Sequence, residues 1–191
     1  MPGYFEAMRA VCDKHGALLI LDEIMSGVGR TGSLHAWQSP LIGVEPDLQT
    51  LGKGLGGGYA PVAALLVNNR VVDALQKGSG AFSHGQTYQG HPISCRVALE
   101  VQREIKEKRL VENVAELGVY MKDLLEEKIA PLPFVGNVRG RGFFWGVRVS
   151  TTVRRLQSDL PLRRLNSSRT RIPRYLLRQV EASQWVFTRK V

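Results

Sequence analysis

The sequence predicts an α/β layered fold with ligands at strand ends. Three observations carry this expectation. A continuous apolar run, Ala17 to Leu21, ends on Asp22-Glu23, as a buried parallel strand would. A second apolar run spans Pro61 to Val67, and three segments show helical periodicity. Glycine-rich stretches follow the strand candidates, where α/β sheets bind ligands.

The elements read in order. Pro2 to His15 forms a helix with Phe5, Met8, Val11 and Cys12 on one face, stopped by Gly16. Ser26 to Gly32 is a glycine-rich loop. Leu48 to Leu51 is a short strand leading into the segment Thr50-Leu51-Gly52-Lys53-Gly54-Leu55-Gly56-Gly57-Gly58. Arg70 to Gln76 is a short helix, and Gly78 to Pro92 is loop. Ile93 to Lys108 and Val111 to Lys128 are helices with i,i+4 charge spacing. Pro131 and Pro133 break that pattern, and Val135 to Val149 reads as a strand pair around Gly140 and Gly142.

Composition excludes several classes. No apolar run is long enough to span a bilayer, and the N-terminal residues show no secretory pattern. Cys12 and Cys95 lack metal-ligand spacing, so no metal site is expected. Two such thiols fit a reduced, intracellular setting, cytoplasmic or mitochondrial. The net charge is +9, yet nine arginines and Lys190 crowd residues 151–191 against only Asp159 and Glu181. The body is therefore nearly neutral, and the tail's Tyr175, Trp185 and Phe187 form no pattern interleaved with its arginines, which argues against nucleic acid.

Lys53 and Asp22 are the candidate chemistry. A carboxylate after four aliphatic residues sits at a strand's carboxyl end, and buried it would need a cationic partner. A lysine among glycines has room for a ligand, although such a lysine is commonly a solvated loop residue. Gly52, Gly54 and Gly57 match G-x-G-x-x-G by count, but an apolar strand-like run follows instead of a helix, which rejects a dinucleotide site.

Four segments carry a family resemblance. Asp22-Glu23-Ile24-Met25-Ser26-Gly27-Val28-Gly29-Arg30-Thr31-Gly32 resembles the D-E-x-x-x-G-x-G-R-T-G stretch of class III aminotransferases. Pro46 to Gly58 resembles their Schiff-base segment. His84-Gly85-Gln86-Thr87-Tyr88-Gln89-Gly90-His91-Pro92 resembles H-G-x-T-[FY]-x-G-[NH]-P, and Val138-Arg139-Gly140-Arg141-Gly142 resembles V-R-G-x-G. The resemblance covers residue 3 to about 149 and is expected to stop there.

The resemblance implies part of the pyridoxal-phosphate-dependent transferase fold: a mostly parallel sheet of the large domain over residues 1–92, and a linking helix and the start of the small domain over 93–150. It implies that Lys53 forms the Schiff base with pyridoxal 5'-phosphate and shuttles the proton. It further implies that Asp22 pairs with the pyridinium nitrogen, that Ile24 packs on the ring face, and that Thr87 reaches a partner's cofactor phosphate in a homodimer. His84 and His91 are read as loop-structuring. Met25 departs from the glutamine of many members and loses a hydrogen bond to the ring oxygen.

The implied activity is transfer of an amino group between an amine or amino acid and an oxo acid. Alternatives are a catalytically dead dimerisation or binding module, and an aminomutase, racemase or decarboxylase of the same family. Family members are more than twice this length, so the chain is expected to be an internal piece. It would lack the glycine-serine phosphate loop and the substrate-carboxylate arginine, and be inactive alone. All twenty glycines precede residue 150. The expectation for 151–191 is a tail foreign to the fold, from out-of-frame translation or a mis-joined exon.

Overall fold

The computed structural model describes residues 3–149, and the expectations for the basic tail lie outside them. The elements are α1 (Tyr4–His15), β1 (Ile20–Asp22), β2 (Leu48–Leu51), β3 (Ala64–Val67), α2 (Asn69–Lys77), α3 (Pro92–Glu107), α4 (Leu110–Lys128), β4 (Val135–Arg141) and β5 (Phe144–Val149). Short 3-10 turns lie at Ala36–Gln38 and Lys53–Leu55.

Local chemistry explains the helix ends. α1 stops at Gly16, whose φ of 65° is left-handed, where a Cβ would be strained. α2 starts at Asn68, whose side chain accepts the Val71 N–H at 3.3 Å. α3 starts at Pro92, and the His91 ring accepts the Ser94 N–H at 3.4 Å. His91 thus does the loop-structuring work expected of it.

The strands form two sheets. β1, β2 and β3 lie in that order, β1 parallel and β3 antiparallel to β2. β4 and β5 form an antiparallel pair with an irregularity between Val135 and Asn137. In the parallel ladder Ile20 faces Leu48, Leu21 faces Gln49, and Asp22 faces Thr50.

Two strand expectations need correction. The apolar run from Ala17 was expected to be buried strand, but the ladder begins at Ile20, and Ile20 is 57% exposed. The run outlasts its partner, because β2 begins only at Leu48. Likewise only Ala64–Val67 of the second run pairs, since it meets β2 no earlier.

The interior is unusually polar. Among the described residues the buried apolar side chains are Leu19, Ala36, Val44, Leu51 and Ala98, and beside them are buried Glu23, Thr31, Ser39, Asp47 and Gln49. Each of those polar side chains is hydrogen-bonded, as burial demands.

Asp47 is the knot at the amino end of β2. It is 3% exposed, and Oδ2 accepts the Arg9 guanidinium at 2.7 Å and the Leu19 N–H at 2.8 Å. Oδ1 accepts Arg70 at 2.9 Å and the Asn68 amide at 3.2 Å. One carboxylate thus ties α1, the entry to β1, and the start of α2. Burial pushes its pKa up, but the bonds from Arg9, Leu19 and Asn68 outweigh burial and hold it below the ordinary carboxylate value. Its stabilising contribution is therefore complete above that ordinary value, near pH ~4, and is lost as pH falls through the lower folded value. Asp47→Asn is expected to cost about 3 kcal/mol, because it removes the buried anion shared by Arg9 and Arg70 and leaves Arg9 only the exposed Asp13 carboxylate, 2.6 Å away. Urea titrations at several pH values check this, and the variant should lose the Asp47 share of the acid dependence.

A glycine seam holds the Ser26–Gly32 loop. The Phe143 N–H donates to the Arg30 carbonyl at 3.0 Å, at the β4–β5 turn. Gly142 has φ 54°, and a Cβ there would fall 2.6 Å from the Thr31 carbonyl carbon. A Cβ on Gly118 of α4 would fall 2.6 Å from the Gly142 Cα. Gly142→Ala is therefore expected to cost about 2–4 kcal/mol from overpacking and left-handed strain together. A thermal melt with Gly146→Ala as control checks it, since the Gly146 Cβ would meet nothing closer than 3.8 Å.

Candidate functional site

The parallel register brings the two candidate chemical residues to one edge. Asp22 is the last residue of β1 and sits opposite Thr50. Lys53 follows two residues beyond the end of β2 at Leu51, with Gly52 between. Both therefore lie at the carboxyl ends of adjacent parallel strands, where α/β sheets receive ligands.

Asp22 is exposed, which corrects the expectation of a buried carboxylate seeking a cation. β1 is an edge strand with only β2 beside it, so solvent reaches the carboxylate. Two hydrogen bonds orient it instead. Oδ1 accepts the Ile24 N–H at 3.0 Å and the Thr50 hydroxyl at 3.0 Å. The Glu23 N–H donates to the Thr50 carbonyl at 3.1 Å and closes the ladder beyond Asp22.

Lys53 is exposed and has φ 42°, in the left-handed region. A non-glycine residue there costs about 1–3 kcal/mol, and such outliers cluster at functional positions. Its glycine neighbours differ in the room they leave for a side chain. A Cβ on Gly52 or on Gly54 would reach 3.4 Å from Ile24 and Val28 respectively. On Gly56 it would collide with the Ala60 carbonyl oxygen.

Ile24 and Lys53 line one cavity of about 190 Å³, together with Met25, Arg30, Phe143 and Phe144. Asp22 is not in its lining. Thr87 is not brought to this group either. It lies in the exposed loop between α2 and α3, beside Gln86 and Tyr88, which line an open groove with Tyr59 and Ile93.

The opposite face of β1 and β2 carries a polar layer that sequence reasoning missed. Glu23, 3% exposed, accepts the Ala36 N–H at 2.7 Å and the Trp37 N–H at 2.8 Å. Gln49 accepts the Trp37 indole N–H at 3.1 Å and lies 3.0 Å from the His35 ring nitrogen. Strand alternation explains the division: Asp22 and Thr50 point one way, Glu23 and Gln49 the other. An acidic pair directly after an apolar run was the available signal, because only one of two successive strand residues can face the ligand side.

Comparison with known proteins identifies the family. A family model described as aminotransferase class-III matches residues 1–165, which runs past the expected limit near 149. An aminotransferase from Gibberella zeae is 61% identical over 145 residues, covering 76% of this chain and 28% of that protein. Ornithine aminotransferase 1 of Staphylococcus aureus is 41% identical over 152 residues, 78% of this chain and 36% of that one. The solved taurine:2-oxoglutarate aminotransferase from Bifidobacterium kashiwanohense, in complex with PLP and glutamate, aligns with TM-score 0.72 and 34% identity over 78% of this chain and 32% of that chain. The chain spans about a third of the length of these relatives. With a family match over most of its residues, and relatives in fungi and bacteria sharing the same stretch, the chain belongs to the class III aminotransferase family.

Proposed function

We propose that this chain carries the lysine and aspartate of a pyridoxal-phosphate-dependent transaminase, which moves an amino group between an amine or amino acid and an oxo acid. One observation supports this most directly. The β1–β2 register sets an exposed carboxylate and an exposed primary amine at the carboxyl ends of neighbouring parallel strands.

The residues present fit the cofactor chemically. A carboxylate already oriented through one oxygen suits a protonated ring nitrogen, and a primary amine suits an aldehyde. Pyridoxal phosphate, when bound, supplies the aldehyde that takes the amine and a ring that accepts an electron pair. Lys53 Nζ would hold the aldehyde and would carry the proton between the substrate carbon and the cofactor. Asp22 keeps a proton at the ring nitrogen by pairing with it. Ile24, beside Lys53 in the cavity lining, packs against the ring.

Thr87 serves the phosphate of a second copy in this reading. Its exposed loop and its distance in sequence from the strand-end pair are compatible with a role across a dimer. A binding module without catalysis is the second reading. It draws on the same exposed loop, which leaves the phosphate contacts outside the Asp22–Lys53 group.

A visible absorption titration of the chain with pyridoxal phosphate tests the proposal. A saturable band distinct from free cofactor is expected. A spectrum that matches free cofactor at every concentration contradicts it.

A further inference from the structure

We propose that Thr50 is a positioning residue for Asp22, fixing the carboxylate that meets the cofactor ring nitrogen; this rests on the cofactor reading above. The Thr50 hydroxyl donates to Asp22 Oδ1 at 3.0 Å, directly across the parallel ladder. A carboxylate oxygen only accepts, so the hydroxyl spends its single proton on Asp22. The Ile24 N–H reaches the same oxygen at 3.0 Å. Both bonds fall on Oδ1, which leaves Oδ2 to a ligand.

Packing does not hold Asp22, because the side chain is exposed. Hydrogen bonds must therefore set its direction. Thr50 suits the task, being β-branched with a stiff χ1 and half-buried in the middle of β2's pairing. The residues flanking the pair are pinned from behind. Glu23 is fastened to the backbone of Ala36 and Trp37, and Gln49 to the Trp37 indole. The backbones of Asp22 and Thr50 are thus fixed, and the hydroxyl converts that fixed register into a fixed carboxylate. Binding to a preoriented carboxylate avoids the cost of ordering it.

The test uses the full chain, Thr50→Val, Thr50→Ala, Thr50→Ser and Asp22→Asn. Each is titrated by tryptophan fluorescence with pyridoxal phosphate and with its 1-deaza analogue, in which the ring nitrogen is a carbon. Loss of one hydrogen bond to a charged group predicts about tenfold weaker pyridoxal phosphate binding by Thr50→Val and Thr50→Ala. Thr50→Ser should stay within about twofold, and no Thr50 variant should change analogue binding by more than about twofold. Two hydroxyl-free variants guard against one failing to fold.

If Asp22→Asn weakens pyridoxal phosphate while both hydroxyl-free variants bind it normally, the positioning role is wrong and the cofactor reading stands. Equal losses for both ligands mean a merely structural threonine, which also overturns the proposal. If the unaltered chain binds pyridoxal phosphate no better than Lys53→Ala, titrated beside it, the cofactor reading falls and this proposal with it.

Discussion

Lys53→Ala is expected to abolish the pyridoxal-phosphate absorption band of the chain and to weaken cofactor binding by at least about a hundredfold. The reason lies in where the other lysines of the described residues sit. Lys14, Lys77, Lys106, Lys122 and Lys128 belong to helices, and Lys108 caps one. Lys108 pairs with Glu104, Lys122 with Glu126 and Lys128 with Glu127. A free lysine is protonated near neutral pH and reacts poorly with an aldehyde. Lys53 alone among them follows a strand whose parallel neighbour ends in a carboxylate. Lys53→Arg should behave like the alanine variant, since a guanidinium keeps the charge but cannot form the bond. Difference spectra of the three proteins at equal cofactor concentration check this. A band retained in Lys53→Ala would place the attachment elsewhere.

A polypeptide of these 191 residues is expected to self-associate at micromolar concentration. Leu18, Ile20, Leu65 and Leu66, in the apolar runs read as strands, face solvent among the described residues, as does Tyr59 at 85% exposure. Burying one such side chain is worth about 1.5–3 kcal/mol, so association gains quickly from several. The described sheet also offers two unpaired edges, β1 and β3, each bonded only to β2. Size-exclusion chromatography with light scattering should show most of the protein above monomer mass. Pyridoxal phosphate should shift material toward a defined species, because a ligand that binds only the folded form stabilises it. A monodisperse monomer without cofactor would contradict this account of the apolar surface.

What the sequence made legible was local. α3 and α4 match their expected spans to within a residue, because periodicity, Pro92 and the Pro131–Pro133 break all act nearby. Leu48–Leu51 was read with its true ends for the same reason. The strand-end place of Asp22 and the glycine-run place of Lys53 were readable from local pattern, while their cofactor roles came only from the family resemblance. The depth of β1 was not readable: an apolar run reports preference for burial, while the described neighbours decide how much is covered. The ties that hold the fold around the site were nonlocal. Arg9 reaches Asp47 across 38 positions, and the Arg141 guanidinium donates to the Ser39 hydroxyl across 102. Thr50 lay inside a quoted motif, yet its bond to Asp22 depends on a parallel register that no local pattern specifies.

The most direct measurement is borohydride reduction of the chain with pyridoxal phosphate, followed by proteolysis and mass spectrometry of every lysine-containing peptide. The account predicts one pyridoxyl mass increment, on the peptide that carries Lys53, saturating at about one label per chain. Label spread over the helical lysines at similar yield, or absent from Lys53 at saturating cofactor, would contradict it.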